Sequence, residues 1–273
     1  MQVHLVQLDI VWEDKEQNYA RVRGLLKSVK IAAGDLVALP EMFDTGFSLL
    51  NPGQTADGKW DVTEPQRGPG GTMGKTLEFL RQLALELNVT VHGSRTLVDA
   101  ESKGRNMASV VGPDGEVLVE YAKIHPFSYG KETERFVGGT QVLTYPWTHN
   151  AGEPVTICPA ICYDLRFPEL FRLGLKAGAE MIVIGANWPA PRAYHWRSLL
   201  IARAIENQAV VVGVNRAGKD LALAYGGGSI VVGPKGEVLG EMDDREGVLS
   251  VEVDAGAIRE WRKTFPAWRD LKL

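Results

Sequence analysis

Val155-Thr156-Ile157-Cys158-Pro159-Ala160-Ile161-Cys162-Tyr163-Asp164-Leu165-Arg166-Phe167-Pro168-Glu169-Leu170 changes character at Cys162. The apolar run from Val155 to Ile161 reads as a buried strand, and the spacing of Leu170, Phe171, Leu173, Leu175 and Ala177 reads as a helix that Gly178 closes. Cys162 therefore falls in the turn between strand and helix. Pro168 suits a first helical turn, where its missing N–H is no loss, so the turn is short and fixes the sulfur at the edge of a sheet. Backbone N–H groups just after the cysteine point the same way, where they can lower a thiol pKa or hold an oxyanion. The competing reading is a small buried hydrophobe, since free cysteine is commonly buried.

Outward from this stretch the strand and helix pattern recurs. Val3 to Leu8 reads as a strand, Asn18 to Lys30 as a helix, and Leu36 to Leu39 as a second strand that Pro40 ends and Glu41 follows. Asn51 to Gly71, rich in Gly, Pro and polar residues, reads as a surface excursion able to cover a cleft. Thr76 to Leu87 has one apolar face and Val89 to Gly93 is the next strand. Met107 to Val111 and Glu116 to Ala122 then form a hairpin ending at Lys123, and Ile124 to Gly139 is a loop holding Glu132. In the second half, Glu180 to Gly185 and Ala209 to Val214 are strands around a helical segment, Tyr194 to Asn207, with Asn187 and Asn215 at the strand exits.

An internal echo settles the architecture. Val110-Val111-Gly112-Pro113-Asp114-Gly115-Glu116-Val117-Leu118 returns as Val231-Val232-Gly233-Pro234-Lys235-Gly236-Glu237-Val238-Leu239. That spacing is too long for a solenoid. Two halves, each of β-α-β units followed by a hairpin, give an α/β fold of two mixed sheets packed face to face with helices outside. No linker divides residues 1–273, which read as a single domain. The tail, Ile258 to Leu273, carries Trp261, Phe265, Pro266 and Trp268 and is expected to dock on the body or on a second subunit.

Bulk properties exclude several function classes. With 30 basic and 34 acidic residues interspersed and a formal net charge of -4, the chain has no field for nucleic acid. No run approaches a membrane span and the start lacks a leader pattern, so the expected location is cytoplasmic, with no membrane partner. Two cysteines four residues apart make neither a disulfide framework nor a convincing zinc site. Cys158 is expected in the core.

Glu41, Lys123 and Cys162 each follow an apolar strand, and in layered α/β folds such ends gather at one crevice. Together they suit hydrolysis of a small carboxamide. A carboxylate takes the thiol proton, the thiolate attacks the carbonyl, and Lys123 with the Tyr163 backbone N–H holds the oxyanion. No metal and no organic cofactor is required. His125 offers a rival, a Cys-His pair.

Leu39-Pro40-Glu41-Met42-Phe43, Tyr121-Ala122-Lys123-Ile124-His125 and Ile161-Cys162-Tyr163-Asp164-Leu165-Arg166-Phe167-Pro168-Glu169 resemble, in order and spacing, the nitrilase superfamily of carbon–nitrogen hydrolases. The resemblance implies a four-layer α-β-β-α sandwich that dimerises through its helical layer. It also implies a second glutamate beside the lysine, carried over to Glu132 with Glu134 as the rival. Ala186-Asn187-Trp188-Pro189-Ala190-Pro191-Arg192, His195-Trp196, Ala202-Arg203-Ala204-Ile205-Glu206-Asn207-Gln208 and Phe265-Pro266-Ala267-Trp268 look like the bacterial omega-amidase branch. That branch hydrolyses the terminal amide of 2-oxoglutaramate and 2-oxosuccinamate. Two loops depart from its usual pattern, Ile124-His125-Pro126 and Gly226-Gly227-Gly228-Ser229. Asn187, Trp188 and Arg166 are the expected substrate-binding residues, although Arg166 can equally pair with Asp164. N-carbamoyl-amine hydrolysis, acyl transfer and a non-catalytic scaffold are the alternatives.

Overall fold

The computed structural model describes residues 1–49, 64–65, 74–99, 103–149 and 152–272. The excursion expected over Asn51 to Gly71 lies outside them, apart from two strand residues. In chain order the elements are β1 (Gln2–Gln7), α1 (Lys15–Leu26), β2 (Leu36–Ala38), β3 (Glu64–Pro65), α2 (Lys75–Leu87), β4 (Thr90–Val98), β5 (Gly104–Val111) and β6 (Val117–Ala122). The second half adds β7 (Tyr145–Trp147), β8 (Val155–Ile161), α3 (Pro168–Lys176), β9 (Met181–Ala186), α4 (Ala193–Asn207), β10 (Val210–Asn215), β11 (Ile230–Val232), β12 (Val238–Glu241), β13 (Gly247–Glu252) and α5 (Ala255–Thr264).

Strand periodicity sorts the apolar residues into separate cores. Leu36 and Ala38, Met181 and Val183, and Val210, Val212 and Val214 pack between the two sheets. Their alternates face outward: Val37 and Leu39 meet the α1 and α2 residues Val22, Leu80 and Leu83, while Ile182, Ile184 and Val211 meet Phe171 of α3 and Leu200 of α4. Strands covered on both faces are apolar at consecutive positions, which is why the sequence shows runs rather than alternation. The result is the expected α-β-β-α sandwich. One sheet runs β13-β1-β2-β4-β5-β6, with β3 added beside β4, and the other runs β12-β11-β10-β9-β8-β7. In each, parallel strands stand beside an antiparallel hairpin, β5-β6 or β11-β12, as the internal echo requires.

Some boundaries differ from expectation. The helix expected over Asn18 to Lys30 starts earlier, because the Asp14 carboxylate accepts the Gln17 N–H (2.9 Å) and caps it; it ends at Leu26. The strand expected to stop at Gly93 continues to Val98, extending through polar residues that pair with β5. β7 and β13 carry no distinct sequence signal. β13 leaves the second half and pairs with β1 from Gln2↔Glu252 to Gln7↔Gly247. Beyond it, Ile258 of α5 is fully buried, and Arg262 donates to the carbonyls of Ala179 (2.6 Å), Gln208 (2.9 Å) and Asn207 (3.2 Å).

One close approach links the sandwich to the chemistry-bearing residues. A Cβ on Gly185, in β9, would lie 2.8 Å from the Leu39 carbonyl oxygen and 3.1 Å from the Glu41 nitrogen. Only glycine lets the exit of β2 come this near. Gly185→Ala is expected to destabilise the fold by about 1–3 kcal/mol through overpacking. By pushing Glu41 out of register it is expected to lower kcat about 100-fold. Thermal unfolding beside steady-state kinetics checks both, and unaltered kinetics would contradict the link.

Candidate active site

The exits of β2, β6 and β8 converge at one end of the sandwich. Lys123, directly after β6, is 1 % exposed, and its ammonium lies 2.8 Å from Glu41 Oε1 and 2.7 Å from Glu132 Oε2. Glu41 and Glu132 are both fully buried. Burial alone would push the Lys123 ammonium down, but the charges of Glu132 and Glu41 outweigh it and the net shift is upward. Lys123 is therefore a fixed cation. An ammonium has three N–H donors, so one remains once both carboxylates are served.

The remaining oxygens of the carboxylates are also held. Asn106, on β5, donates its amide to Glu41 Oε1 (2.8 Å) and Glu132 Oε1 (2.9 Å), and the Phe127 N–H reaches Glu132 Oε2 at 2.6 Å. The Asn187 N–H donates to Glu41 Oε2 (3.0 Å) while its side chain donates to the Glu41 carbonyl (2.6 Å). Facing only acceptors, both asparagine amides must present nitrogen there. Burial pushes Glu132 upward, against the pull of Lys123 and Asn106. Glu134, the rival for its place, is exposed.

Cys162 has φ +42°, in the left-handed region that a side chain enters only at a strained turn. Asp164, fully buried, holds that turn: it accepts from the Ile161 N–H (3.0 Å), the Tyr121 hydroxyl (2.7 Å), the His125 N–H (3.0 Å) and the His125 ring Nδ1 (2.8 Å). His125 also stacks on Phe167, 3.8 Å between centroids, and its ring Nδ1 hydrogen bond is to Asp164, not to the Cys162 sulfur. Tyr163 is the second residue of the 3-10 turn Cys162–Arg166, where the leading N–H groups have no partner within the turn. Contrary to the expectation that these N–H groups lower the thiol pKa, burial and the charge of Glu41 raise it well above the usual thiol range, against the pull of Lys123. A thiol shifted in this direction favours its protonated form. Cys158 is buried behind it in the α3 core, its pKa pushed up to about 12 by burial.

Cys162 and Lys123 open on a pocket of about 220 Å³. Asn187, Trp188 and Arg166, the expected substrate-binding residues, all line it, as do Phe127, Arg192 and Tyr225. Arg166 does not pair with Asp164. Its guanidinium carbon lies 4.8 Å from the Trp188 ring centroid and 5.9 Å from that of Tyr163. The sequence reading missed Asn106, Asp164 and Arg192. Arg192 closes the Asn187 to Arg192 stretch, but nothing in its spacing marked it. Asn106 heads a run that reads as plain strand, and its partners come from distant elements. The arrangement can pass a proton between a thiol and a carboxylate beside a fixed cation, in a pocket sized for a small molecule.

Comparison with known proteins gives a consistent result. The carbon–nitrogen hydrolase family profile matches residues 2–263. The omega-amidase YafV of Escherichia coli is 34% identical over 272 residues, 99% of this chain and 96% of that protein. The 2-oxoglutaramate amidase of Bacillus subtilis is 30% identical over 270 residues, 99% of this chain and 97% of its relative. Among solved structures, XC1258 of Xanthomonas campestris, a CN-hydrolase superfamily protein with an arsenic adduct in its active site, aligns with a TM-score of 0.86. It is 33% identical, covering 100% of this chain and 97% of that one.

Two measurements test the geometry. A hydrogen bond to a charged group contributes about 1.5–3 kcal/mol, so Asn106→Ala is expected to lower kcat roughly 10- to 100-fold. Asn106→Asp, though isosteric, adds a third carboxylate and is expected to be worse; an Asp variant more active than the Ala variant contradicts the bridging role. In Glu41→Gln the raising charge is gone, so thiolate absorbance, read as a difference against Cys162→Ser, is expected to appear at lower pH than in the unaltered protein. Coincident titrations would mean that Glu41 does not govern the thiol.

Proposed function

We propose, from the premise that this chain belongs to the carbon–nitrogen hydrolase family, that it is an omega-amidase that releases ammonia from the terminal carboxamide of a small 2-oxo acid such as 2-oxoglutaramate or 2-oxosuccinamate. Amidase hydrolysis of a C–N bond is the chemistry of the relatives that match it over nearly its full length. The observation that carries the residue assignment is the buried Glu41–Lys123–Glu132 cluster facing the Cys162 thiol.

In the proposed cycle Glu41 takes the Cys162 proton as the sulfur attacks the amide carbonyl carbon. The spare Lys123 N–H and the Tyr163 backbone N–H receive the carbonyl oxygen as its charge develops. Glu41 then returns the proton to the amide nitrogen, the C–N bond breaks, ammonia leaves, and a thioester remains on Cys162. A water gives its proton to Glu41 and attacks the thioester, and collapse restores the thiol and releases the carboxylate. The protonated resting thiol fits this order, because proton removal is coupled to attack. Glu132 orients Lys123: each glutamate accepts from Lys123, from Asn106 and from one backbone N–H, but the Cys162 thiol feels the charge of Glu41 more strongly than that of Glu132, which leaves Glu41 to exchange the proton. Asn187 holds Glu41 while bordering the pocket, and Trp188 and Arg166 form its wall.

We also propose that the enzyme works in the cytoplasm as a homodimer. Among the described residues no helix is long and apolar enough to cross a membrane. Leu173 on α3, Tyr194 and Ile205 on α4, and Phe265 after α5 stand exposed, apolar surface that a second copy of the helical layer would cover.

The test is ammonia release across 2-oxoglutaramate, glutamine, aliphatic amides, N-carbamoyl compounds and nitriles. Turnover is expected to be greatest on 2-oxoglutaramate. It should be abolished in Cys162→Ala and reduced by at least about 1,000-fold in Glu41→Gln and Lys123→Met, the scale of losing a group that acts as part of a catalytic unit. Silence on 2-oxoglutaramate with turnover of a carbamoyl compound overturns the substrate, and a dead His125→Ala beside active Glu41→Gln and Lys123→Met overturns the mechanism.

A further inference from the structure

The charge around the pocket is unevenly distributed. At the Cys162 end the single Lys123 cation is outnumbered by the carboxylates of Glu41 and Glu132, so an anionic substrate group is repelled there. The same pocket is lined by two guanidiniums, Arg166 and Arg192, neither with a carboxylate partner among the described residues. Arg166 is spread over Trp188 and Tyr163 and donates to His195 Nδ1 at 3.3 Å. Arg192 has its guanidinium carbon 5.7 Å from the Phe127 ring centroid. The rings beneath them are continuous, since Phe127 and Tyr163 pack 4.9 Å apart and the Trp188 indole N–H donates to the Arg192 carbonyl at 2.8 Å. Stacking on aromatic faces fixes the plane of each guanidinium while leaving its in-plane N–H donors available.

The acidic residue lining the same pocket, Asp220, does not cancel this. One oxygen accepts the Ala222 and Leu223 N–H groups (2.8 and 2.7 Å) and the other accepts the Tyr225 hydroxyl. Its charge is dispersed into its own loop, whereas the two arginines keep theirs for a ligand.

We propose that Arg192, acting with Arg166, binds the carboxylate of the substrate at the end opposite the scissile amide, and that Arg192 is a specificity-determining residue. Repulsion at the carboxylate cluster and attraction at the arginines then orient an asymmetric substrate one way only. The carboxamide goes to the sulfur and the carboxylate to the guanidiniums. This inference rests on the amidase reading and sharpens it to monoanionic amides.

The test compares succinamate with butanamide, in which a methyl group replaces the carboxylate. Arg192→Gln is expected to raise KM for succinamate at least tenfold while leaving kcat/KM for butanamide within about threefold, with Arg192→Lys recovering part of the loss. In Cys162→Ala protein, which cannot turn over, glutarate affinity measured by calorimetry is expected to fall at least tenfold when Arg192→Gln is added. Equal losses on both amides would assign Arg192 a merely structural part, and undiminished succinamate KM or glutarate affinity would remove it from recognition; either result overturns the proposal. A protein that hydrolyses butanamide without charge selectivity sinks this inference and leaves the amidase reading intact. One inert toward every amide, yet binding glutarate through Arg192, sinks the amidase reading instead.

Discussion

A lysine ammonium buried between two carboxylates is the constraint around which this protein is assembled. Taking such ions out of water costs several kcal/mol each, and their mutual attraction offsets that cost only where geometry and added hydrogen bonds are good. Here the added bonds come from every side: Asn106 from β5, Asn187 from the end of β9, and the Phe127 N–H from the loop after β6. Removing one partner of a buried pair typically destabilises by about 3–5 kcal/mol. The cluster therefore ties the first sheet to the second by polar contacts where the apolar core between them runs out.

That tie explains the asymmetry of the two glutamates. Both are buried and both touch Lys123, so composition and burial do not distinguish them. What distinguishes them is the rest of their surroundings. Each accepts from Lys123, Asn106 and one backbone N–H, but the charge of Glu41 weighs more on the Cys162 thiol than that of Glu132. The sulfur is held in place by different means, a strained backbone turn pinned by the four contacts to Asp164, so the thiol and the Glu41 carboxylate are fixed through separate networks.

The two-sheet architecture was legible because the central strands, β2, β8, β9 and β10, are covered on both faces, and consecutive apolar residues announce that directly. The hairpin echo was legible because Gly-Pro-Xaa-Gly turns are local. Glu41, Lys123 and Cys162 stood out because each stands just beyond the exit of a strand. Asn106 and Asp164 did not, since their importance lies in partners 26 to 65 residues away that no spacing rule reports. β7 is three residues long and β13 is half-exposed, so neither has enough apolar pattern to be seen without its neighbour. Arg192 was quoted within a motif but not singled out, because its lack of a carboxylate partner among the described residues is a property of the folded pocket alone.

β13 has one more implication. It borders β1, so the strand Gln2–Gln7 is completed by one from the far half of the chain, Gly247–Glu252. During synthesis the N-terminal sheet emerges with a bare row of N–H and C=O groups along β1, and it stays so until residue 252 clears the ribosome. Such an edge is a template for pairing with other nascent chains. Closing the sheet with its own distal segment makes the assembly of one half conditional on translation of the other.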